Sequence, residues 1–490
     1  MSVPWSEVVA AVTNHRWRGR PLLDVSEDSR HCRPGSVFVA RPGRQGDGHD
    51  FATAAVDSGA VLVVAERPCD VGVPVCLVPS APRALAQLAA AWYGKPAADL
   101  DLVGVTGTNG KTTVVTLARA ILSAAGRRTF SLGTTGFWLD SRLVAPHLRW
   151  TTPPALELQA LCARAVAAGA NSGVLEVSAQ ALDQHRVAGC RFGAAAITNV
   201  SREHGEYFDH PAAYLAAKIS LFRGDDAPPP AWSVVNASLP EVAAAARQAG
   251  SHTLVYGPDA GDVRLYAYEP HGLDGSRLRV TAAGELLDLR LWLPGRYNVE
   301  NALAAVALGL ALDVSPADVA RGIESVTTVP GRWQVLRRRP YRVIVDYAHN
   351  PAALRAVLSL VRQSTPGRLL LVMGARGERD ENKRPLMGAV AAGLCDQIIF
   401  TSDRPGREDP ARAAAPMVRA ALDCGGTARY VDHRRSALTT ALDALRPGDS
   451  LVVTGKGDEP WLGDGEADPD TTDVAVLCEL LDGQSAVALS

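Results

Sequence analysis

The stretch GVTGTNGKTT, residues 104–113, has the residue types and spacing of a phosphate-binding loop. An apolar run precedes it, and a helix is predicted to begin at Lys111. In that setting backbone N–H groups bind phosphate, the lysine amine reaches the β and γ oxygens, and Thr112 offers a hydroxyl to Mg²⁺. The usual G-x-x-x-x-G-K-[ST] pattern has a glycine where this chain has Val105. The competing interpretation is a tight strand-to-helix turn capped by a threonine.

Lysine is rare in this chain, which makes its positions informative. Lysine and arginine together number 50, and only five of these residues are lysines. A retained lysine suggests a need for an amine whose pKa can be lowered, which a guanidinium does not supply. Chance placement is the alternative explanation. The five lysines are Lys95, Lys111, Lys218, Lys383 and Lys456.

Two candidate metal ligands follow predicted strands. Glu176 ends an apolar run in LEVSAQALDQHRV (175–187), and His204 follows another in ITNVSREHGEYF (197–208). Ligands of open α/β sheets bind outside the carboxyl ends of the strands, so both side chains are candidates for Mg²⁺. Taken alone, a strand-end glutamate is more often solvated or paired, and a lone histidine is usually structural.

Lys218 lies in an alanine-rich stretch that is predicted to be a helix. A partly desolvated lysine with a lowered pKa can react with CO₂ to give a carbamate. The carbamate is an anionic, bidentate metal ligand, so the position would change from a cation to a ligand. The alternative is an ordinary surface lysine, although this chain mostly uses arginine for surface cations.

Weaker candidates lie at the ends of other predicted elements. Asn298 and Asn301 stand at a predicted helix start, either as caps or as adenine contacts. Arg332 belongs to a PGRW linker, and Asp346 and His349 follow a strand. Three further post-strand loops are expected to line one edge of the third domain: GARGERDENKRPLMG (374–388), SDRPGREDP (402–410) and GKGDE (455–459).

The elements that must position these residues form three segments. Residues 1–98 contain short apolar runs between turn-rich stretches, which predicts a small α/β domain. Residues 99–332 alternate short strands with helices, which predicts a doubly wound parallel sheet of P-loop type. Within them, the alternating pattern of 261–293 predicts an antiparallel β insertion. Residues 333–490 give a second, Rossmann-like βα series, so the predicted fold class is α/β with three domains.

Composition excludes several classes of protein. A hydrophobic content of 47% and a charged content of 21% are those of a globular protein, and a net charge of −2 provides no general attraction to nucleic acid or anionic membranes. No apolar run reaches the ~20 residues of a membrane span, and the first residues lack the features of a secretory leader. Eight scattered cysteines without a CxxC pair favour a reducing compartment. We expect a cytoplasmic monomer with no nucleic-acid or membrane partner.

In this order, the stretches resemble the Mur ligase family, and most of all its MurE-type branch, which adds the third amino acid to the UDP-N-acetylmuramoyl dipeptide of peptidoglycan. The resemblance runs from EDSRHCRPGSVFVARPGRQGDGHDF (27–51) to GKGDE, which is nearly the whole chain. The family loop reads GTNGKT, which fits residues 107–112 and removes the difficulty at Val105. In the family, ATP phosphorylates an acceptor carboxylate, and the amine of an amino acid then displaces phosphate through a tetrahedral intermediate. Because two anions must meet, cations have to screen them.

The resemblance implies ATP, two Mg²⁺ ions and a carbamylated lysine as cofactors. Thr112 and Glu176 would hold one Mg²⁺, His204 and carbamylated Lys218 would hold the second, and Lys111 would contact the phosphates. The implied ATP contacts are Gly107, Thr108, Asn109, Gly110, Lys111, Thr112, Thr113, Asn298, Arg332 and Asp346. The implied acceptor contacts are Ser29, Arg44, Gln45, Thr151, Thr152, Ser178, Gln184 and Arg186. The implied amino-acid contacts are Arg379, Asp403, Arg404, Gly455 and Glu459.

The chain departs from the family at both substrate ends. Diaminopimelate-adding members have the loop D-N-P-R where residues 403–406 read D-R-P-G, and Asp458 replaces a histidine. At the acceptor end Trp150 replaces an asparagine, and Glu27 replaces an apolar residue beside uracil. We therefore expect the chemistry to be retained and the substrates to differ. The amino acid would not be meso-diaminopimelate, and the acceptor would be UDP-N-acetylmuramoyl dipeptide or, in a specialised-metabolite paralogue, another carboxylic acid.

Two other functions are compatible with the phosphate loop alone. A P-loop NTPase switch or motor would have no use for Glu176, His204 and Lys218, and would turn over nucleotide without forming an amide. A catalytically dead scaffold would have lost the candidate metal ligands and lysines, whereas this sequence contains them.

Overall fold

The computed structural model describes residues 22–43, 46–146, 148–201, 203–404, 406–462, 467–468 and 472–487. Two predicted acceptor contacts, Arg44 and Gln45, lie outside these residues. The prediction about a secretory leader also concerns residues outside them. The described residues form three main sheets, each flanked by helices, and one short two-stranded ribbon. This arrangement confirms the predicted α/β class with three sheet-containing regions.

The first sheet is small and parallel. Its strands are β1 Asp24–Ser26, β2 Ser36–Ala40, β3 Ala60–Ala65 and β4 Val75–Leu77. The helices that accompany them are Ala52–Asp57 and Ala81–Trp92, with single 3₁₀ turns at Ser29–His31, Gly48–Phe51 and Pro96–Asp99. The order is β1-β2-β3-β4, and β2 and β3 are buried along almost their whole length, as expected for strands covered on both faces.

The second sheet is the largest. Its strands are β5 Asp101–Thr106, β6 Thr129–Gly133, β7 Gly136–Leu139, β8 Arg142–Ala145, β9 Ser172–Glu176, β10 Phe192–Ile197, β11 Trp232–Asn236, β12 His252–Gly257, β13 Val263–Pro270, β14 Ser276–Ala282 and β15 Glu285–Leu291. The order is β15-β14-β13-β12-β11-β10-β5-β9-β6-β7-β8. The strands from β12 to β6 in this order are parallel, which confirms the doubly wound sheet.

Antiparallel strands extend both edges of this sheet. At one edge β13, β14 and β15 pair antiparallel with one another, and β14 alternates buried and more exposed residues, as a strand with one covered face does. This confirms the predicted β insertion. At the other edge β7 and β8 form a hairpin that the sequence did not predict.

Seven helices of the described chain accompany the second sheet. They are Lys111–Ala124, Ala155–Ala167, Ala179–Asp183, Pro211–Arg223, Pro240–Gln248, Arg296–Ala311 and Pro316–Ser325. Helix Arg296–Ala311 is buried on most of its surface and packs with Lys111–Ala124 in one apolar core. The phosphate-loop helix is therefore held by a rigid interior.

The third sheet forms the second βα series. Its strands are β16 Gln334–Arg337, β17 Arg342–Val345, β18 Leu369–Arg376, β19 Gln397–Asp403, β20 Ala428–Val431 and β21 Ser450–Thr454, and the ribbon is β22 Trp461–Leu462 with β23 Ala467–Asp468. The helices are Pro351–Gln363, Lys383–Ala392, Pro410–Asp423, Arg434–Asp443 and Asp473–Val487. The order is β16-β17-β21-β18-β19-β20, parallel except for β16.

Two further observations concern the predictions about membrane spans and disulfides. Within the described ranges, no helix is both long enough and apolar enough to cross a membrane. None of the eight cysteines, all of which lie within the described ranges, belongs to a disulfide. The exact domain boundaries at 98/99 and 332/333 stay predictions.

Candidate active site

A cleft of about 1160 Å³ lies between the second and third sheets. The residues lining it follow β5, β9 and β10 on one side and β17, β18, β19 and β21 on the other. The carboxyl ends of both sets of parallel strands therefore face one space, where ligands of open α/β sheets bind. The three post-strand loops expected to share one edge of the third domain do share it.

The phosphate-loop geometry explains why Val105 is acceptable. Val105 is a fully buried residue of β5, and the turn begins only at Gly107, whose φ is +137°. A Cβ at Gly107 would lie 1.9 Å from the Thr198 hydroxyl, and one at Gly110 would lie 2.2 Å from the Asn301 side chain. The loop therefore requires glycine at 107 and 110 and not at 105.

Hydrogen bonds fix this loop to the end of β10. The backbone N–H of Thr108 donates to the Asn199 carbonyl at 2.8 Å, and that of Asn109 donates to the Asn199 side chain at 3.0 Å. The Thr198 hydroxyl donates to the Asn109 carbonyl at 2.6 Å. Helix Lys111–Ala124 then begins at the cleft, so its N-terminal end is available to an anion. Thr108, Asn109, Gly110, Lys111, Thr112 and Thr113 all line the cleft.

Two lysine amines contact the same carbonyl. The Nζ of Lys111 and the Nζ of Lys218 each lie 3.0 Å from the Gly107 oxygen. Lys218 is 1% exposed and lies 4.3 Å from the centre of the Tyr214 ring. Burial lowers the pKa of Lys218 well below its ordinary value, and the neighbouring Lys111 lowers it further. The Lys218 amine is thus disposed to be neutral and nucleophilic.

Glu176 ends β9 beside the phosphate loop. It is 1% exposed, and one carboxylate oxygen accepts from the Thr134 backbone N–H at 2.9 Å. Burial raises the pKa of Glu176, while Lys111 and Arg332 oppose the rise and the Thr112 hydroxyl hydrogen-bonds to the carboxylate. A carboxylate and a hydroxyl are thereby side by side next to a phosphate site. This donor set suits Mg²⁺, which binds few protein oxygens and completes its octahedron with phosphate and water.

The second predicted metal pair is less complete. His204 lies near Tyr214, with 5.9 Å between the ring centres, and Tyr214 also contacts Lys218. The His204 Nδ1 is 3.2 Å from Glu206. Among the residues that the structure describes, no three His, Cys, Asp or Glu side chains are arranged to hold a metal. A second ion would therefore need phosphate oxygens or a modified lysine as ligands.

The predicted asparagine contacts lie in the cleft, and one of them, Asn109, links its two sides. Asn298 donates to the Pro294 carbonyl at 2.9 Å and accepts from Asn301 at 3.1 Å. The side chain of Asn350, from the third domain, donates to that of Asn109 in the phosphate loop at 2.9 Å. The two domains are thus joined directly at the loop.

Arg332 and Asp346 are positioned by the linker and by β17. Arg332 donates to the Thr112 hydroxyl at 3.2 Å, and its guanidinium lies 3.7 Å from the centre of the Tyr347 ring. Asp346 accepts from two backbone N–H groups at 2.8 Å, and burial raises its pKa. Both residues line the cleft next to the phosphate loop.

The predicted acceptor contacts are only partly gathered in the cleft. Arg186 donates to the Thr152 carbonyl at 2.7 Å and to the Gln184 side chain at 2.8 Å, so Gln184 supports Arg186 from behind. Ser29 is buried in the first domain and is not among the residues lining the cleft. Thr151, Thr152, Ser178 and Arg186 do line it.

Trp150 lies close to two arginines at this end of the cleft. The guanidinium carbon of Arg186 is 4.9 Å from the ring centre of Trp150, and that of Arg149 is 5.6 Å away. In the first domain Glu27 forms an ion pair with Arg41, and both charges influence the pKa of Arg186, which burial lowers. The two departures at Trp150 and Glu27 therefore meet near Arg186.

The predicted amino-acid contacts all line the opposite end. Glu459 accepts from the Tyr347 hydroxyl at 2.5 Å and forms ion pairs with Arg404 at 3.0 Å and Arg376 at 3.7 Å. Arg379 donates to Glu206 of the second domain at 2.7 Å. The lining residues are Arg379, Asp403, Arg404, Gly455 and Glu459.

One bridge between the domains was missed from the sequence. Glu203 is 7% exposed and pairs with His349 at 2.7 Å and with Lys383 at 3.7 Å, both in the third domain. Although burial by itself raises the pKa of Glu203, its contacts with His349 and Lys383 hold that pKa below its usual range. The sequence signal that could have identified Glu203 was its position next to His204, just after β10. Tyr347, Arg376 and Glu206 were missed in the same way.

Family models match this chain in three consecutive parts. Residues 24–93 match the Mur ligase family catalytic domain, residues 105–309 match the Mur ligase middle domain, and residues 331–457 match the Mur ligase glutamate ligase domain.

Curated relatives match over almost the full length. The chain is 36% identical over 471 residues to the UDP-N-acetylmuramoyl-L-alanyl-D-glutamate--2,6-diaminopimelate ligase of Geobacillus thermodenitrificans, covering 94% of this chain and 95% of the relative. It is 38% identical over 451 residues to the protein of that name from Caulobacter vibrioides, covering 89% and 91% respectively.

A solved structure titled with the same enzyme name superimposes with a TM-score of 0.68 at 28% identity, covering 99% of this chain and all of the other. The site geometry agrees with the three matching family models, with the relatives at this level of identity and with the shared three-part fold. The chain therefore belongs to the Mur ligase family and is an ATP-dependent, ADP-forming ligase that makes C–N bonds.

Proposed function

We propose that the enzyme phosphorylates the carboxylate of an acceptor with ATP and couples the resulting acyl phosphate to the amine of an amino acid. The observation that supports this most is the grouping of half-buried Lys111 with buried Lys218 and Glu176 around one phosphate loop. Cations there would screen the approach of a carboxylate to the γ-phosphate. A nucleotide switch would not need the third domain's cationic pocket on the other side of the cleft.

The metal chemistry follows from the same residues. Mg²⁺ bound by Thr112, Glu176 and the ATP phosphates would neutralise charge that develops on the transferred phosphoryl group. A neutral Lys218 amine can take up CO₂, and the carbamate would hold a second Mg²⁺ together with His204. The low pKa of Lys218 is the property that this reaction requires.

The substrates are proposed from the relatives' names and from the departures of this chain. The names give UDP-N-acetylmuramoyl-L-alanyl-D-glutamate as acceptor and 2,6-diaminopimelate as amino acid. We propose that acceptor as the first candidate, in the cytoplasm and with the enzyme as a monomer. The expectation that meso-diaminopimelate is not added gains no support from the relatives. It rests on Arg404, which fills part of the amino-acid end.

A different carboxylic acid is the second candidate acceptor. The acceptor region favours this candidate because it contains an aromatic face and a carboxylate. The Trp150 ring lies near the guanidinium groups of Arg149 and Arg186, and the ion pair of Glu27 with Arg41 is nearby.

A matrix of acceptors against amino acids tests these proposals. Phosphate release is measured with Mg-ATP, and products are identified by mass spectrometry. Amide formed from UDP-N-acetylmuramoyl-L-alanyl-D-glutamate supports the first acceptor, and amide formed only from other acids supports the second. ATP turnover without any amide, across acceptors and amino acids, would contradict the ligase chemistry.

A further inference from the structure

One carboxylate that does not line the cleft connects the first domain to a turn of the second. Asp226 follows helix Pro211–Arg223, and its side chain is 10% exposed. The same carboxylate oxygen lies 2.8 Å from Nη2 of Arg83 and 2.6 Å from Nδ1 of His185. Burial alone would raise the pKa of Asp226, but its hydrogen bonds with His185 and Arg83 hold that pKa below the usual value. The carboxylate is therefore ionised and holds two side chains from different parts of the chain.

His185 stands in the turn that ends a short helix of the second domain. Its φ is +54°, in the left-handed region. The backbone N–H of His185 donates to the Leu182 carbonyl at 3.0 Å, and that of Arg186 donates to the Ala181 carbonyl at 2.8 Å. Paired hydrogen bonds of this kind close a helix around one left-handed residue, which is usually glycine. Because histidine is less suited than glycine to this backbone conformation, a contact that holds its ring also stabilises the turn.

The residues on either side of His185 are two of the predicted acceptor contacts, Gln184 and Arg186. Arg186 lines the cleft, and its guanidinium donates to the Gln184 side chain at 2.8 Å and to the Thr152 carbonyl at 2.7 Å. The chain leaves the helix at this turn, so the conformation of the turn sets where the guanidinium enters the cleft.

The first domain meets the same turn through a second contact. Helix Ala81–Trp92, which carries Arg83, packs with one face on the first sheet and with another on Ala188. A Cβ at Gly189 would lie 2.9 Å from the Ala86 carbonyl oxygen, so the helix and the chain just after the turn approach too closely for a side chain. The ion pair of Arg83 is therefore formed beside a closely packed contact between the two domains.

We propose that Asp226 is a positioning residue for the acceptor. Through His185 it holds the turn that presents Arg186, and through Arg83 it holds the first domain beside that turn. Removing its charge would weaken both hydrogen bonds, and the turn would open more often. Arg186 would then be directed into the cleft in a smaller fraction of the molecules, which weakens acceptor binding by the same fraction. The inference rests on the proposed function in taking Gln184 and Arg186 as acceptor contacts.

Two binding measurements separate this role from a purely structural one. Isothermal titration would measure UDP-N-acetylmuramoyl-L-alanyl-D-glutamate on the enzyme saturated with Mg²⁺ and a non-hydrolysable ATP analogue, and the analogue itself in the presence of Mg²⁺. We expect Asp226→Asn to weaken binding of the acceptor about tenfold and to keep the affinity for the analogue within about twofold. Asp225→Asn is the matched control and should keep both affinities, because this exposed neighbour pairs with Arg223. Unchanged acceptor affinity in Asp226→Asn, or an equal loss of both affinities, would overturn the proposal.

A double variant tests whether Arg83 acts through Asp226. Arg83→Gln should weaken acceptor binding by about threefold, and the double variant should bind no more weakly than Asp226→Asn alone. Losses that multiply fully would show that the two residues act independently, which would contradict the connection from the first domain to the turn.

Hydrogen exchange tests the same network without a ligand. In ligand-free Asp226→Asn, the amides of residues 185 and 186 should exchange about tenfold faster than in the wild type, while those of the phosphate loop keep their rate. Unchanged exchange at the turn would overturn the proposal whether or not the acceptor binds. Faster exchange in a protein whose wild type does not bind this acceptor would support the role of Asp226 at the turn and contradict the proposed acceptor.

Discussion

The two ends of the cleft are built in different ways. At the phosphate loop, the functional side chains are held by backbone atoms: two lysines contact the Gly107 carbonyl, and Thr134 donates its backbone N–H to Glu176. At the amino-acid end, Glu459 is held by two long side chains, those of Arg376 at the end of β18 and Arg404 in the loop after β19.

This difference separates the residues that can be replaced from the residues that cannot. A change at the phosphate loop disturbs glycine positions with no room for a Cβ, whereas a change in the loops after β19 and β21 replaces one ion pair by another. The chemistry is therefore fixed by the fold, and the choice of substrate is adjustable. Three predictions test this contrast.

The largest effect is expected at Lys218. Lys218→Ala should lower kcat for ligation by about a hundredfold to a thousandfold, because it would remove the proposed carbamate ligand of a Mg²⁺ ion beside the reacting phosphates. Short carboxylic acids that mimic the carbamate should restore part of the rate. Lys95→Ala, at an exposed lysine, is the control and should keep wild-type activity. An active Lys218→Ala enzyme would show that the phosphate-loop end of the cleft tolerates substitutions as well as the amino-acid end does.

The second prediction concerns Glu176, where a substitution should change both activity and stability. Glu176→Gln should lower activity by about tenfold to a hundredfold by weakening the proposed Mg²⁺ site. It should also raise the free energy of unfolding of the ligand-free enzyme at neutral pH. The reason is that burial raises the folded-state pKa of Glu176, so the stability contribution of this group is fully present only below its unfolded pKa and is lost as pH rises through the folded value.

Urea unfolding curves at pH 5 and pH 8 would measure this second effect. The stability gain of Glu176→Gln should be larger at pH 8 than at pH 5. The exposed Glu241→Gln should show no comparable dependence. A destabilised Glu176→Gln enzyme at pH 8 would mean that the pairing with Lys111 and Arg332 outweighs burial.

An effect on stability alone is expected behind the amino-acid end, at Lys456. Burial lowers its pKa to about 8, so between pH 8 and its ordinary value of 10.5 the unfolded chain keeps a proton that the folded chain loses. Wild-type stability should therefore rise with pH across this window, by up to about 3 kcal/mol relative to Lys456→Met. Lys95→Met is the exposed control. Parallel pH profiles for wild type and Lys456→Met would contradict the burial of a charge there.

The sequence predicted the parts of the site that depend on local pattern. Glu176 stands at the end of β9, and Lys111 and Thr112 begin the helix that follows β5, where short apolar runs and glycine spacing are strong signals. Lys218 was found because lysine is rare in an arginine-rich chain. These residues lie in one sheet or in the helices that accompany it, and the neighbouring parallel strands of that sheet end at the same edge.

The interactions that the sequence did not reveal are all non-local. Glu203 meets His349 and Lys383 across two domains, and Arg404 meets Glu459 across two loops of the third sheet. Such pairs depend on how whole domains are oriented, and single-sequence patterns contain no information on orientation. The β7–β8 hairpin was missed for a simpler reason, since its strands are only four residues each.

The position of β21 has a consequence for synthesis on the ribosome. β21 comes after all other strands of the third sheet in the chain, yet it lies between β17 and β18 and pairs with both. The sheet cannot close until residues 450–454 have emerged, whereas the second sheet is complete once β15 has been made. The phosphate loop can therefore be folded while the amino-acid pocket is still unformed, so an interrupted chain would retain nucleotide contacts and lack the part that chooses the amino acid.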